Sequence, residues 1–269
     1  MPPKVTLFDG MNRGDYTRAG RNMSQANRAP QQIVDGLVSW IREQIAGAGA
    51  GGAVIGVSGG LDSSVAAVLC KLALPDNTLG LILPCHSSQT DIDHAHAVVR
   101  RFDIQARLIP LDTVYDAMIR LLPDDGLDPA TRRNAEANLK PRLRMTTLYY
   151  FASRLRYLVV GAGNKCELSI GYFTKYGDGG VDLLPLGNLV KTEVRSLAHY
   201  LGIPHEIIDK PPSAGLWEGQ TDEEEIGLTY QELDLYFTAG QVDANVARKI
   251  EEKVAANAHK RALPPTPPR

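Results

Sequence analysis

Residues 54–65 read VIGVSGGLDSSV: an apolar run meets two glycines, an aspartate and two serines, and apolar residues then resume at helical spacing. A strand that enters a glycine-rich turn and leaves it as a helix makes an anion site. The glycines let the backbone approach closely, successive N–H groups face one point, and the helix dipole adds partial positive charge. Ser58, Ser63 and Ser64 add hydroxyl donors. Two better-known glycine loops are excluded. No lysine follows the second glycine as G-x-x-x-x-G-K-[ST] requires, and there is no G-x-G-x-x-G. A plain strand-to-helix connection, with Asp62 as a carboxylate at the helix start, is the alternative reading. Asp62 fits an anion site poorly, because a carboxylate beside a phosphate repels it unless a cation bridges the two. The chemistry therefore predicts Mg²⁺ held between Asp62 and phosphate oxygens.

The elements that must position this turn follow from hydrophobic periodicity. Ile33, Leu37, Trp40, Ile41 and Ile45 predict an amphipathic helix over 31–46. Strands are predicted at 53–57, 78–84, 106–111, 157–161 and, short, at 181–187. Helices are predicted at 63–74, around Ile92–Phe102 from Ile92, Ala95, Val99 and Phe102, at 112–122, and from about 134 to 157. Pro141 places the start of that last helix near itself, since proline suits the first helical turn. Val190, Val194, Leu197, Ala198 and Leu201 mark a further helix stopped by Gly202 and Pro204. Alternating strands and helices predict a Rossmann-like α/β fold: a doubly wound, mostly parallel, five-stranded sheet with helices on both faces. Ligands bind such sheets beyond the carboxyl ends of the strands. SGGLDSS, PCHSS and GAGNKCE each follow a predicted strand directly, so they should converge on one edge.

The 269 residues are 43% hydrophobic, enough for one large core. A net charge of −2 and a pI near 6.3 give no bias toward nucleic acid. No apolar stretch approaches a bilayer span, and residues 1–30 lack the apolar segment of a signal peptide. Cys70, Cys85 and Cys166 have no paired spacing, which predicts reduced thiols in a cytoplasmic protein. Residues 1–30 are expected to be an extended or poorly ordered arm, 31–261 a single domain, and 262–269 a proline-rich tail.

SGGLDSS resembles the pyrophosphate-binding SGGxDS loop of the N-type ATP-pyrophosphatases, whose adenine-nucleotide-α-hydrolase-like fold matches the predicted sheet. Those enzymes cleave ATP between the α and β phosphates, adenylate an oxygen of the acceptor, and let a nucleophile displace AMP. Four further blocks resemble the NAD synthetase family: NLKPRLRMTTLYYFA (138–152), GNKCELSIGYFTKYGDGGVDLLPLGNLVKTEV (163–194), PPSAGLWEGQTDEEEIGLTYQELD (211–234) and HKR (259–261). The resemblance implies amidation of deamido-NAD to NAD, with ATP and Mg²⁺, in a homodimer whose substrate site spans the interface.

Position by position, the resemblance implies that Gly56, Val57, Ser58, Gly59, Gly60, Leu61, Asp62 and Ser63 bind ATP, with Ala162, Lys191 and Ser213. Asp62 and Glu167 would be the Mg²⁺ ligands. Arg142, Lys175, Asp182, His259 and Lys260 would hold deamido-NAD. Alone, Arg142 and Arg144 would read as solvated helix arginines, Lys175 and Asp178 as turn residues, and His259 as a surface histidine. The acidic run 221–227 makes Asp222 and Glu223 candidates for handling ammonium. Ala162 stands where the family often has a threonine that contacts ATP, leaving Asn164 as the neighbouring donor. About 30 residues precede the first helix, too few for a glutaminase domain, so ammonia is the expected nitrogen donor. Supply of ammonia by a separate glutaminase, or another ATP-pyrophosphatase with a different acceptor, are the alternatives.

Overall fold

The computed structural model describes residues 29–123, 126–217 and 219–267; the predicted N-terminal arm lies almost wholly outside them. The described residues form α1 (Pro30–Gly47), β1 (Ala53–Gly56), α2 (Leu61–Ala73), β2 (Thr78–Ile82), α3 (Gln89–Arg101), β3 (Gln105–Leu108), α4 (Asp112–Leu121), α5 (Pro129–Leu155), β4 (Leu158–Val160), α6 (Lys165–Ile170), α7 (Lys191–Leu201), α8 (His205–Ile208), α9 (Asp222–Ile226), α10 (Tyr230–Ala239) and α11 (Ala244–Ala256). The strands pair in parallel in the order β3-β2-β1-β4.

Side chains alternate across this sheet as a pleat requires. Ala53, Ile55, Ile82 and Val160 face one core with α1, α2, α3 and α7. Val54, Leu79, Leu81 and Val159 face another with Phe151 and Ala152 of α5. The sheet is thus covered on both faces, and the doubly wound class holds. A third cluster joins Cys166 and Ile170 of α6 to Ile226, Tyr230, Leu233 and Ile250. It attaches α9, α10 and α11 to the end of the sheet where the loops gather.

Two expectations need correction. The sheet has four strands, because 181–187 pairs with β4 only through a single bridge, Val160 to Leu183. The Asp182 carboxylate takes the Val159 N–H at 2.7 Å. Pro185 has no N–H to give, and a Gly187-to-Leu184 turn closes the segment. The long helix starts at Pro129, not Pro141. Asp128 caps it through the N–H groups of Ala130 and Thr131, so Pro129 is the proline of the first turn. Pro141 sits inside α5 and is buried, where packing against the Gly177 turn offsets the lost hydrogen bond.

Candidate active site

The turn between β1 and α2 is built as the sequence suggests. Gly59 adopts φ +82°, and a β-carbon there would lie 2.2 Å from the Asp91 carbonyl oxygen, so only glycine lets the turn close against α3. The Ser58 N–H donates to Ser63 Oγ at 3.2 Å, and the Ser63 hydroxyl donates to the Gly60 carbonyl at 3.0 Å. These bonds hold both hydroxyls at the mouth of the turn. Asp62 begins α2 without capping it.

Glu167 lies in the first turn of α6, brought beside Asp62 because β4 neighbours β1. Asn164 joins the two. Its amide donates to Asp62 Oδ2 at 3.3 Å, its backbone N–H donates to Glu167 Oε2 at 3.0 Å, and its Oδ1 accepts from the Glu167 N–H. The Asn164 side chain is therefore engaged with the Asp62 carboxylate and the Glu167 N–H, and its backbone N–H with the Glu167 carboxylate. Lys191, at the start of α7, places Nζ 2.5 Å from Asp62 Oδ2 and 3.9 Å from Glu167 Oε1. Burial opposes the Lys191 charge, but the two carboxylates outweigh it and hold the ammonium above its usual range. Asp62 Oδ1 is buried with no hydrogen-bond partner among the described residues. A buried carboxylate oxygen left open beside a second carboxylate is what a cation would satisfy. Among the described residues no cluster of three or more metal-ligating side chains occurs. Magnesium needs only one or two carboxylates, since phosphate and water oxygens complete its shell.

Burial and the Asp62 charge push Glu167 up to about 8. Between its ordinary value of 4.5 and about 8, the unfolded chain has released a proton that the folded chain keeps. Glu167 therefore subtracts stability as pH rises through that interval and no further above it. Glu167→Gln removes the effect. In chelator-treated buffer the melting temperature of E167Q relative to wild type is expected to climb from pH 5 to pH 8. A difference that stays flat across that range contradicts the assignment.

These groups line a cavity of about 540 Å³ at the carboxyl edge of the sheet. Of the predicted ATP residues, all but Gly59 face it, and Glu167 and Lys260 face it too. Four of the five predicted acceptor residues, Arg142, Lys175, His259 and Lys260, form a second patch, whereas Asp182 bonds elsewhere. Arg142 Nη2 donates to the Lys175 carbonyl at 3.5 Å, and Lys175 Nζ to the His259 carbonyl at 2.7 Å. Lys260 joins the patch to the cavity, donating to the carbonyls of Gly171 and Phe173. Arg142, Lys175, Asp182 and His259 do not line the cavity. Asp182 accepts from Tyr149 OH at 2.9 Å as well as from Val159.

The sequence reading left other groups of this cavity without a role. Arg144 enters it, held by the Leu83 carbonyl and Ser87. Asp178, a turn residue when read alone but functional by the resemblance of its block, is a cavity carboxylate pushed up by burial, with the Thr174 N–H donating to it. Lys210 pairs with Asp91. Asp222 is buried at the cavity wall, whereas Glu223 is exposed and accepts from the Tyr230 N–H. The SGGLDSS and GNKCE blocks marked the ends of strands. Arg144 and Lys210 carried no comparable signal, being ordinary cations in a helix and a loop.

Residues 33–264 match the NAD synthase family. This chain belongs to it. An NH(3)-dependent NAD(+) synthetase of Carboxydothermus hydrogenoformans is 47% identical over 237 residues, covering 88% of this chain and 97% of that protein. The structure of an NMN synthetase from Francisella tularensis superposes with a TM-score of 0.83 at 40% identity, covering 90% of this chain and 99% of the other. A glutamine-dependent NAD+ synthetase from Acinetobacter baumannii, solved with ADP, superposes with a TM-score of 0.63 at 25% identity. The match covers 89% of this chain but 47% of that one. Family membership agrees with the parallel α/β fold.

Proposed function

We propose that this NAD synthase family chain amidates deamido-NAD to NAD with ATP and ammonia, releasing AMP and pyrophosphate. The observation that carries this reading is the meeting of Asp62, Glu167 and Lys191 at the mouth of the serine-glycine turn. The acceptor carboxylate attacks the α-phosphorus, pyrophosphate leaves, and ammonia then displaces AMP from the acyl adenylate. Attack brings two anions together, so fixed donors must meet the charge that builds on the phosphoryl oxygens. The turn N–H groups, Ser58, Ser63 and Ser213 supply neutral donors, and Lys191 supplies a cation. Asp62 and Glu167 would hold Mg²⁺, which when bound neutralises charge on the departing pyrophosphate. Gly56 to Ser63, Ala162, Lys191 and Ser213 form the ATP side of the site in this reading. Arg142, Lys175, Asp182, His259 and Lys260 form the acceptor side.

The name of the Carboxydothermus relative, and its near-complete coverage by this chain, support ammonia as the nitrogen source. One observation favours a second acceptor, the high similarity to a structure named as an NMN synthetase. In that reading the acid mononucleotide is amidated by the same chemistry. Purified chain supplied with ATP and Mg²⁺ distinguishes these readings when ammonium or glutamine is paired with either acceptor. NAD formation from deamido-NAD with ammonium alone is expected. Equal use of glutamine would overturn the nitrogen assignment, and a higher kcat/KM for the mononucleotide would transfer the reading to NMN.

A homodimer fits the surface of α4, which has no buried residue and exposes Val114, Met118 and Leu121 in one stripe. The same preparation should sediment as a two-chain particle at micromolar concentration; a monomer there removes the shared-site reading. We further assign 31–261 to one domain, followed by the proline-rich tail. The cytoplasm is the proposed compartment, supported by three buried free cysteines. No described helix is long and apolar enough to cross a membrane.

A further inference from the structure

α10 contributes neither Tyr230 nor Asp234 to the cavity wall, yet both direct their polar atoms at groups that do line it. The two lie one turn apart on the same helix face, each 6% exposed, with the fully buried Leu233 anchoring the helix in the third core. Tyr230 OH lies 3.1 Å from Glu167 Oε1 and 3.0 Å from Asp222 Oδ2. Its ring lies beneath Lys191, with Nζ 4.8 Å from the centroid. Asp222 is itself fixed by Tyr172 OH at 3.1 Å.

Asp234 acts on the neighbouring backbone. Its Oδ2 accepts from the Thr192 N–H at 2.8 Å. Its Oδ1 accepts from the Lys191 N–H and from the Cys166 thiol, each at 3.1 Å. One carboxylate thus ties the residue preceding Glu167 to the residue from which the phosphate-facing lysine projects.

We propose that Tyr230 and Asp234 form a positioning bracket. Tyr230 fixes the Glu167 carboxylate from behind, and Asp234 fixes the start of α7 so that Lys191 reaches the cavity. Tyr230 shares its one hydroxyl proton between Glu167 Oε1 and Asp222 Oδ2, and the Asn164 N–H donates to Oε2, so neither Glu167 oxygen has more than one donor among these groups. Each keeps a lone pair for a cation, and the plane of the carboxylate is set. The bracket explains why a helix outside the cavity presents two buried polar side chains toward it. It rests on the assignment of Glu167 to the metal and Lys191 to phosphate.

The deciding variant is Tyr230→Phe, which keeps the ring beneath Lys191 and removes one hydroxyl. Mn²⁺ is titrated into the full-length chain with a non-hydrolysable ATP analogue, and the free ion is read by its paramagnetic resonance signal. Y230F is expected to weaken Mn²⁺ binding roughly 10–100-fold. Binding of the analogue without metal should stay within about twofold of wild type, by that same outer-shell logic. A purely structural role for Tyr230 would not separate these two affinities. Asp234→Asn is expected to weaken analogue binding without metal, which Y230F spares. Glu167→Gln is the control. Loss of Mn²⁺ in E167Q with wild-type affinity in Y230F overturns the bracket alone. Unchanged Mn²⁺ affinity in E167Q overturns the metal assignment and the Tyr230 half with it. Unchanged analogue binding in D234N overturns the Asp234 half.

Discussion

Replacing Asp62 with alanine is expected to lower kcat/KM for amide formation by at least about 10³-fold while leaving the fold in place. A cation ligand at a departing pyrophosphate supplies several kcal/mol of transition-state stabilisation. At 1.36 kcal/mol per factor of ten, about 4 kcal/mol corresponds to that loss. The structure separates this role from a structural one. Asp62 does not cap α2, its Oδ1 has no partner among the described residues, and its side chain contributes to none of the three cores. Lys191 keeps Glu167 as a nearby carboxylate when Asp62 is removed. Asp62→Asn sharpens the test, since it keeps the shape and a carbonyl acceptor and removes only the charge. Both variants should give wild-type circular dichroism and comparably low turnover with ATP, Mg²⁺ and ammonium. Turnover within about tenfold of wild type, or only some 1.4 kcal/mol, would mean that Asp62 holds no catalytic cation.

Legibility in the sequence depended on how local the determining physics was. The turn at 58–64 was readable because its requirements are local: glycine for the close approach to Asp91, serines for the donors, and a helix dipole behind them. The four paired strands were readable from short apolar runs, although β3 shows mostly exposed positions. The supposed fifth strand failed because Asp182 and Pro185 alter the ladder in ways that only a partner strand reveals. Pro141 failed in the other direction. Its local preference for a helix start yielded to tertiary packing against 174–180, which no window of sequence contains.

The site shows the same division. Asp62 and Glu167 stand 105 positions apart; strand-end placement put their two stretches on one edge, and only the resemblance to a family paired the two carboxylates. Their common physical cause is the parallel pairing of β1 with β4, which brings the starts of the two following helices together. Tyr230 and Asp234 sit in an ordinary amphipathic helix, and their chemistry exists only once α10 packs on α6 and α7. Arg144 likewise gains its role by crossing from α5 to the loop after β2.

The second large effect concerns Lys191, whose side chain is 7% exposed against 14% for Asp62 and 16% for Glu167. Lys191→Met keeps the length of the stem and its packing on Tyr230 but leaves both carboxylates without their cation. Removing one partner of a buried pair costs about 3–5 kcal/mol, because the remaining charge is neither solvated nor neutralised. For a chain of this size that is roughly 6–20 °C of melting temperature at 2–4 °C per kcal/mol. The loss should depend on pH in a defined direction. Glu167 already favours its protonated form below about 8. Losing the Lys191 charge pushes Glu167 up further, so at pH 6 it sheds the uncompensated charge by keeping its proton at little cost, and that cost grows as pH rises. K191M should accordingly lose less stability at pH 6 than at pH 8.5. Millimolar Mg²⁺ should then restore more stability to K191M than it adds to wild type. A cation that binds the folded carboxylates but not the unfolded chain stabilises by mass action, and in K191M it no longer competes with an ammonium group. Thermal scans at the two pH values, with and without Mg²⁺, give all four numbers. Identical melting in K191M and wild type would show that the lysine carries no electrostatic weight between Asp62 and Glu167. A pH-dependent loss that Mg²⁺ fails to restore would keep the ion pair but remove the divalent cation from this site.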